Sequence, residues 1–246
     1  MIIRKRYMYA CLSLLLLCLL NANSYGQTLK EFFNNKTIPL TYLGVDFTLA
    51  KVQGEVASAN EIRDKFEAIN TVIATEVKKY DVAGAFQRST STNELSMINK
   101  LNESASTEKM KTDNLSDLEK NVKPEDVNKH VKAYDLSGKK GIGLVFIIDG
   151  MSKTNKEATM YVTLIDLASK KVLMAERMTG KAQGFGLRNY WAYTVYKVLN
   201  DIDKHKYSDW ADAAAKAPEV KEEVVEEPKK GTSAAKEPKA KKGKKA

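Results

Sequence analysis

Residues 141–179 decide the fold, and they read GIGLVFIIDGMSKTNKEATMYVTLIDLASKKVLMAERMT. Residues 141–148 are apolar on both faces, which predicts a strand inside a sheet. Asp149 and Gly150 are predicted to open a polar hairpin loop, after which residues 157–167 and 172–179 predict two further strands. Because consecutive strands joined by short turns form a meander, these residues predict the antiparallel centre of a sheet.

The sequence before and after this meander adds one strand and two helices. Residues 40–52 alternate apolar and polar side chains, which places Leu43 and Val45 on one predicted face. Apolar residues then recur every three or four positions over 60–79 and again over 188–205, which predicts two amphipathic helices. The predicted fold class is α+β, with the helices packed on one face of an antiparallel-rich sheet. The strands of that sheet are predicted at residues 40–52, 141–148, 157–167 and 172–179.

Residues 1–26 have the three parts of a cleavable secretory signal peptide. Arg4, Lys5 and Arg6 form the positive region, residues 10–20 form the apolar run, and small residues precede position 27. At about 1.5 Å per residue the apolar run is roughly 17 Å long, too short for a hydrocarbon core of about 30 Å. The protein is therefore predicted to be exported, either periplasmic or on the outer surface of a bacterium, with no transmembrane segment after cleavage.

Both cysteines, Cys11 and Cys18, lie inside that signal, so the mature chain contains none. Disulfides, thiolate metal ligands and cysteine nucleophiles are thereby excluded from the working protein. A domain without these devices depends on its own apolar core, and residues 27–210 are long enough to bury one.

Residues 211–246 are rich in Ala, Lys, Glu and Pro and end in KEPKAKKGKKA. This composition predicts a disordered tail, because it offers too little apolar surface to offset the entropy of ordering. The polar residues 103–121 predict a mobile insertion within a single domain at 27–210. The formal net charge of +9 comes largely from the signal and the tail, which argues against specific nucleic-acid binding. The tail is instead expected to make peripheral contact with a membrane or an anionic polymer.

The segment GKAQGFGLRNYW, residues 180–191, joins the last predicted strand to the second helix. Glycines before a helix leave backbone N–H groups open to an anion, and nearby cations add attraction. The segment lacks the Gly-Lys-Ser/Thr pattern of a phosphate loop. An ordinary strand-to-helix link, with Asn189 as N-cap and Trp191 in the core, accounts for the same residues. The predicted ligand- or partner-binding residues are Lys181, Gly184, Gly186, Arg188, Asn189, Tyr190 and Tyr193.

Tyrosines recur every three residues along the same helix, at positions 190, 193 and 196. Tyrosine is enriched in protein interfaces, so this row is a candidate binding face. The rim of a helix–sheet contact shows the same pattern, and both interpretations remain open at this point.

Catalytic motifs are missing from the sequence. The two histidines, His130 and His205, lack a metal-ligating neighbour at usable spacing. Asp149 and Asp166 are interpreted as turn residues and Asp46 as the wet face of its strand, although two of these carboxylates could converge as acid and base. The sequence predicts no catalytic residue, no metal site and no cofactor.

One family resemblance covers roughly residues 150–199. Ile165 and Asp166, the turn sequence SKKVL at 169–173, and the glycine-containing link to a helix resemble the end of periplasmic α/β domains of the curli-secretion lipoprotein and TolB N-terminal type. The resemblance implies an envelope setting and supports the predicted arrangement of strands and helices. It carries over no functional residue, and the lipid-modified cysteine of the curli pore family is not matched here.

These features predict an exported, non-enzymatic interaction or assembly protein of the cell envelope. Its predicted partner is an envelope protein or an anionic envelope polymer, bound at the sheet edge or on the helix face from Arg188 to Tyr196. The alternative is a small-anion or glycan binding protein, or an enzyme, with its site at residues 184–190.

Overall fold

A computed structural model of the chain describes residues 27–119 and 121–217. The predicted signal peptide and residues 218–246 of the predicted tail lie outside these described residues. No helix among residues 27–119 and 121–217 is long and apolar enough to cross a membrane.

Seven strands of the described chain form one sheet. In chain order they are β1 Leu40–Asp46, β2 Lys51–Gln53, β3 Ser91–Asn93, β4 Lys111–Thr112, β5 Ile142–Ser152, β6 Glu157–Asp166 and β7 Lys171–Lys181. The α-helices are α1 Leu29–Asn34, α2 Ala59–Arg63, α3 Phe66–Thr75, α4 Val82–Ala85, α5 Ser96–Glu103, α6 Thr107–Met110, α7 Ser116–Glu119, α8 Pro124–Lys132, α9 Gly186–Asp201 and α10 Tyr207–Lys216. A π-helical turn, Ile202–Lys206, joins α9 to α10.

The sheet is mostly parallel, so the predicted antiparallel-rich α+β fold is wrong and the fold is α/β. β5 pairs in parallel with β1 and then with β2, and β3 and β4 add to these in parallel. The meander β5–β6–β7 forms the antiparallel part. A hairpin is visible in local sequence, whereas parallel neighbours are joined by long crossovers that no local pattern indicates. β1 and β5, for example, begin at Leu40 and Ile142.

The strand predicted at 40–52 is interrupted, with β1 and β2 lying in line along the same edge of β5. A bulge at Leu43 and Gly44 shifts the pairing of β1 with β5. Gly44 has φ +113°, a conformation that side-chain-bearing residues rarely adopt. The bulge sends Leu43 and Val45 into core clusters on opposite faces, although strict alternation predicts one face for both.

Helices cover both faces of the sheet, which corrects the prediction of helices on one face. The larger core cluster includes buried residues of α3, α9 and α10, among them Phe66, Val195 and Trp210. The smaller cluster includes Ile98 of α5 and Val127 of α8. β5 is buried along its whole length between these layers, as expected of a strand in a sheet covered on both sides.

The second predicted helix continues past both of its predicted ends. Helical structure begins at Gly186, passes through the π-helical turn and ends at Lys216, so it crosses the predicted tail boundary at Ala211. The π-helical turn adds a five-residue step from Ile202 to Tyr207. This step keeps both side chains, and Trp210 after them, in the core.

Two other segments also differ from their predicted form. The predicted helix at 60–79 divides into α2 and α3, and Ser58 caps α2 in a capping box with Glu61. The predicted mobile insertion at 103–121 contains α6, β4 and α7, and it buries Met110 and Leu118 in the core.

Candidate functional site

The link from β7 to α9 holds an aromatic side chain out from the surface. Gly184 and Gly186 have φ +120° and +73°, so the link needs glycine at both positions. Phe185, between them, is the N-cap of α9 and is 96 % exposed. Its side chain caps no backbone N–H group of the helix, because a phenyl ring accepts no ordinary hydrogen bond from an amide.

Asn189 is not the N-cap that the sequence predicts. It lies inside the first turn of α9, where its Oδ1 accepts a hydrogen bond from Nε of Arg188 at 3.0 Å. This bond orients the guanidinium group of Arg188, a residue that is exposed.

A groove, which we call the α3–α9 groove, runs between α3 and the start of α9. It consists of two depressions of about 430 and 360 Å³, and Glu76 and Arg188 line both of them. The first follows the outer face of α3 from Asp64 to Thr75. The second lies beneath the link and is also lined by Lys79, Gln183, Gly184, Phe185, Asn189 and Tyr193.

The tyrosine row divides between two places. Tyr193 lines the groove, where Nζ of Lys79 lies 5.6 Å from its ring centroid, and Tyr196 packs 5.1 Å from Tyr193. Tyr190 faces another way and lies under Lys153, whose Nζ is 3.6 Å from the ring centroid. Burial raises the pKa of Tyr190, with the charge of Glu55 adding to the effect.

The groove therefore unites five of the seven predicted site residues. Gly184, Arg188, Asn189 and Tyr193 line it directly, and Gly186 positions Phe185 at its mouth. Lys181 and Tyr190 do not line the groove. Lys181 forms an ion pair with Glu157 at 2.6 Å across the β6–β7 ladder, and Tyr190 lies under Lys153.

Gly180 serves close packing between β7 and α9. A Cβ atom at this position would lie 2.0 Å from the backbone oxygen of Thr194. No side chain fits there, so this glycine fixes how closely the helix approaches the sheet.

A buried polar cluster that the sequence did not predict surrounds Asp46 at the end of β1. Oδ2 of Asp46 accepts from Nε2 of His130 at 2.7 Å and from the Tyr134 hydroxyl at 2.5 Å. Oδ1 accepts from the backbone N–H and the hydroxyl of Thr48 at 2.8 and 2.5 Å. The one sequence signal for this cluster is that His130 and Tyr134 are four residues apart, a spacing that places two side chains on the same face of a helix.

Hydrogen bonds determine the charge state of Asp46. Burial raises the pKa of this carboxyl, but the bonds from His130, Thr48 and Tyr134, together with the charge of His130, outweigh burial and leave it below 3.8. Burial and the nearby carboxylate both raise the pKa of Tyr134 well above 10.0. The cluster thus holds an ionised carboxylate against a neutral phenol.

The cluster does not have the geometry of a nucleophile–histidine–carboxylate relay. Such a relay uses both ring nitrogens, one for the hydroxyl and one for the carboxylate. Here the Thr48 hydroxyl, at 3.2 Å, and Asp46 both contact Nε2 of His130. The arrangement therefore ties α8 to the gap between β1 and β2.

Asp149 forms a second buried cluster and is not the hairpin turn residue that the sequence predicts. β5 continues through it to Ser152, and it lies where the β5–β6 register shifts. Its Oδ2 accepts from Nε of Arg177 at 2.6 Å and its Oδ1 from the backbone N–H of Val122 at 3.1 Å. Burial raises the pKa of Asp149, although Arg177 acts in the opposite direction. Asp166, which the sequence also predicts as a turn residue, is the last residue of β6, and its carboxylate accepts from the N–H of Ala168 and the hydroxyl of Ser169 in the turn that follows.

Buried side-chain amides complete the outer edge of β1 where β3 no longer pairs with it. Oδ1 of Asn70 accepts from the backbone N–H of Val45 at 2.7 Å, and Oδ1 of Asn102 accepts from that of Phe47 at 2.8 Å. Nδ2 of each amide donates to the Val45 carbonyl. These asparagines satisfy the backbone groups of Val45 and the N–H of Phe47, as a neighbouring strand would.

Within residues 27–119 and 121–217, no group of three or more His, Cys, Asp and Glu side chains is placed to hold a metal ion. The fold and the site together define an α/β domain with a surface groove of mixed charge. Comparison of the chain with protein-family models, curated proteins and solved structures gives no match. The resemblance to periplasmic domains of the TolB N-terminal type stays a prediction.

Proposed function

We propose that this protein is an exported, non-enzymatic interaction protein of the cell envelope, which binds a polypeptide partner in the α3–α9 groove. The observation that carries the proposal is Phe185, which is 96 % exposed at the mouth of the groove. An aromatic ring held in water between two glycines at positive φ is the kind of side chain that anchors a protein interface. Export is supported by residues 1–26.

The charges of the groove favour a polypeptide over an anionic polymer. Arg188 and Lys79 would attract phosphate or sulfate groups, but Asp64, Glu67 and Glu76 line the same groove and would repel them. A polypeptide can offer both signs of charge along one segment. The partner in this proposal is therefore a protein with acidic and basic side chains close together.

The polar clusters favour binding over catalysis. Asp46 is surrounded by donors from its own fold, and Asp149 accepts from Arg177 and Val122. An acid–base pair needs a carboxyl group free to exchange a proton with a substrate. The exposed groove, in contrast, displays an apolar ring, tyrosine and charged groups, which are the components of an interface.

Co-sedimentation with the isolated envelope fraction tests the proposal. Phe185→Ala is expected to weaken co-sedimentation about tenfold or more, as loss of a central aromatic does. Val56→Ala is the matched control, since Val56 is 95 % exposed and does not line the groove. Protease treatment of the envelope should abolish binding. Equal binding by wild type and Phe185→Ala would contradict the proposal.

A small-anion site is the second candidate, because the first backbone N–H groups of α9 receive no side-chain cap and Arg188 lies beside them. Calorimetric titration with phosphate and with sulfate distinguishes the two candidates. Saturable binding that Arg188→Ala removes, with unfolding unchanged, would favour the anion site. The proposed function predicts no saturable binding of either anion.

A further inference from the structure

The two ends of the α3–α9 groove carry opposite charges. Asp64 and Glu67 line the end at the start of α3, and Lys79 lines the end beneath Phe185. Glu76 and Arg188 lie at the junction of the two depressions, where their charges offset each other. α3 has ten residues, so the ends are roughly 15 Å apart. Neither Glu67 nor Lys79 forms a salt bridge with another described residue.

The floor between these ends suits contact with another protein surface. Ala68, Thr71 and Thr75 are small, and Val72 is buried beneath them. The hydroxyls of Thr71 and Thr75 donate to backbone oxygens of α3 at 2.9 and 2.7 Å. Because these donors are already satisfied, a partner can cover the floor without leaving them unpaired.

Apolar side chains are exposed at the basic end. Phe185 is 96 % exposed and Val77, two residues before Lys79, is 61 % exposed. A surface with an apolar and positive end and a small-residue, negative end is complementary to itself when one copy is rotated end for end. Each favourable contact is then made twice, once from each copy.

We propose that the partner bound in the groove is a second copy of this chain, joined by a two-fold axis across α3. Lys79 of each copy faces Glu67 of the other, and Phe185 of each covers the floor of the other. This inference rests on the proposed function and names its partner. It makes the protein a self-assembling component of the envelope.

Charge reversal tests this directly in purified chains from Gln27 to Ala246. In sedimentation velocity at concentrations up to about 1 mM, wild type is expected to dimerise, and more weakly as salt is raised. Glu67→Lys and Lys79→Glu should each weaken dimerisation by about tenfold or more, because two like-charge contacts replace two attractive ones. An equimolar mixture of the two variants should recover wild-type affinity to within about threefold, since both contacts are again between opposite charges.

Circular dichroism melting provides the folding control, because both side chains are exposed and the variants should melt like wild type. A monomeric wild type, unchanged dimerisation in both variants, or failure of the mixture to recover would each overturn the inference. If wild type is monomeric and Phe185→Ala still loses envelope binding, the proposed function stands with a different partner. If the dimer forms as expected but envelope binding does not depend on Phe185, the second copy is the partner and the envelope is not.

Discussion

Nε2 of His130 lies 2.7 Å from Oδ2 of Asp46, a carboxylate with no exposed surface. The two residues are 84 positions apart in the chain. Tyr134 bonds to the same oxygen one helical turn further along. This contact joins α8 to the last residue of β1, just before the break that separates β1 from β2. It therefore holds a helix against an interrupted strand.

Replacing His130 by alanine should destabilise the protein by about 1–3 kcal/mol, the cost of removing one donor from a buried carboxylate. Urea unfolding followed by circular dichroism measures the free energy of unfolding. His205→Ala is the control, because that histidine is exposed on the π-helical turn. A surface substitution of this kind should change stability by less than about 0.5 kcal/mol. Equal stability of the two variants would show that the contact contributes nothing.

Asp46 should make the protein sensitive to acid. Its pKa in the folded state lies below 3.8, so the unfolded chain takes up the proton first as the pH falls. The stabilisation from Asp46 is therefore complete above the unfolded pKa and is lost as the pH falls through the folded value. Urea midpoints between neutral pH and about 2 should fall less steeply in Asp46→Asn than in wild type.

Asp149 should show the opposite dependence, because burial raises its folded pKa. The folded state then binds the proton more tightly than the unfolded chain, and stability rises as the pH falls from the raised folded value to the unfolded one. Asp149→Asn should therefore steepen the loss of stability in acid. The same slope in wild type, Asp46→Asn and Asp149→Asn would contradict both assignments.

Gly180→Ala should be more damaging than Gly186→Ala. The Cβ of alanine at 180 would lie 2.0 Å from the backbone oxygen of Thr194, which cannot move without shifting α9. We expect a loss of about 1–3 kcal/mol or more from this overpacking. At Gly186 nothing lies within 4 Å, and the positive φ alone costs roughly 1–2 kcal/mol. Thermal unfolding of both variants tests the order, which the reverse ranking would refute.

The helix after the π-helical turn should be essential to folding. Tyr207 and Trp210 are buried, and their rings pack 5.2 and 6.2 Å from Phe33 and Phe86. Loss of one large buried aromatic costs about 3–5 kcal/mol, a sizeable part of a total stability of about 5–15 kcal/mol. A chain ending at Lys206 should therefore lack a cooperative thermal transition. A chain ending at Ala217 should melt like the full chain, and equal melting of both would refute the prediction.

Sequence patterns located the elements better than their pairing. The apolar runs at 141–148, 157–167 and 172–179 correspond to β5, β6 and β7, and the helical stripe before residue 205 corresponds to α9. The glycines at 184 and 186, predicted to join the last strand to this helix, have positive φ. The antiparallel-rich sheet was wrong, because parallel partners such as β1 and β5 leave no mark in local spacing.

The sequence by itself determined several local features: the three strands of the meander, the helix that follows them, and the glycine-containing link between the two. Each of these depends on neighbours within a few positions, whose spacing and backbone freedom are written in order along the chain. The tertiary structure alone decided the parallel sheet and the groove between α3 and α9. It also decided the pairing of His130 with Asp46, two residues that no sequence pattern relates. Those features arise when distant segments pack together, and the burial of the groups involved then determines how much each contact contributes to stability.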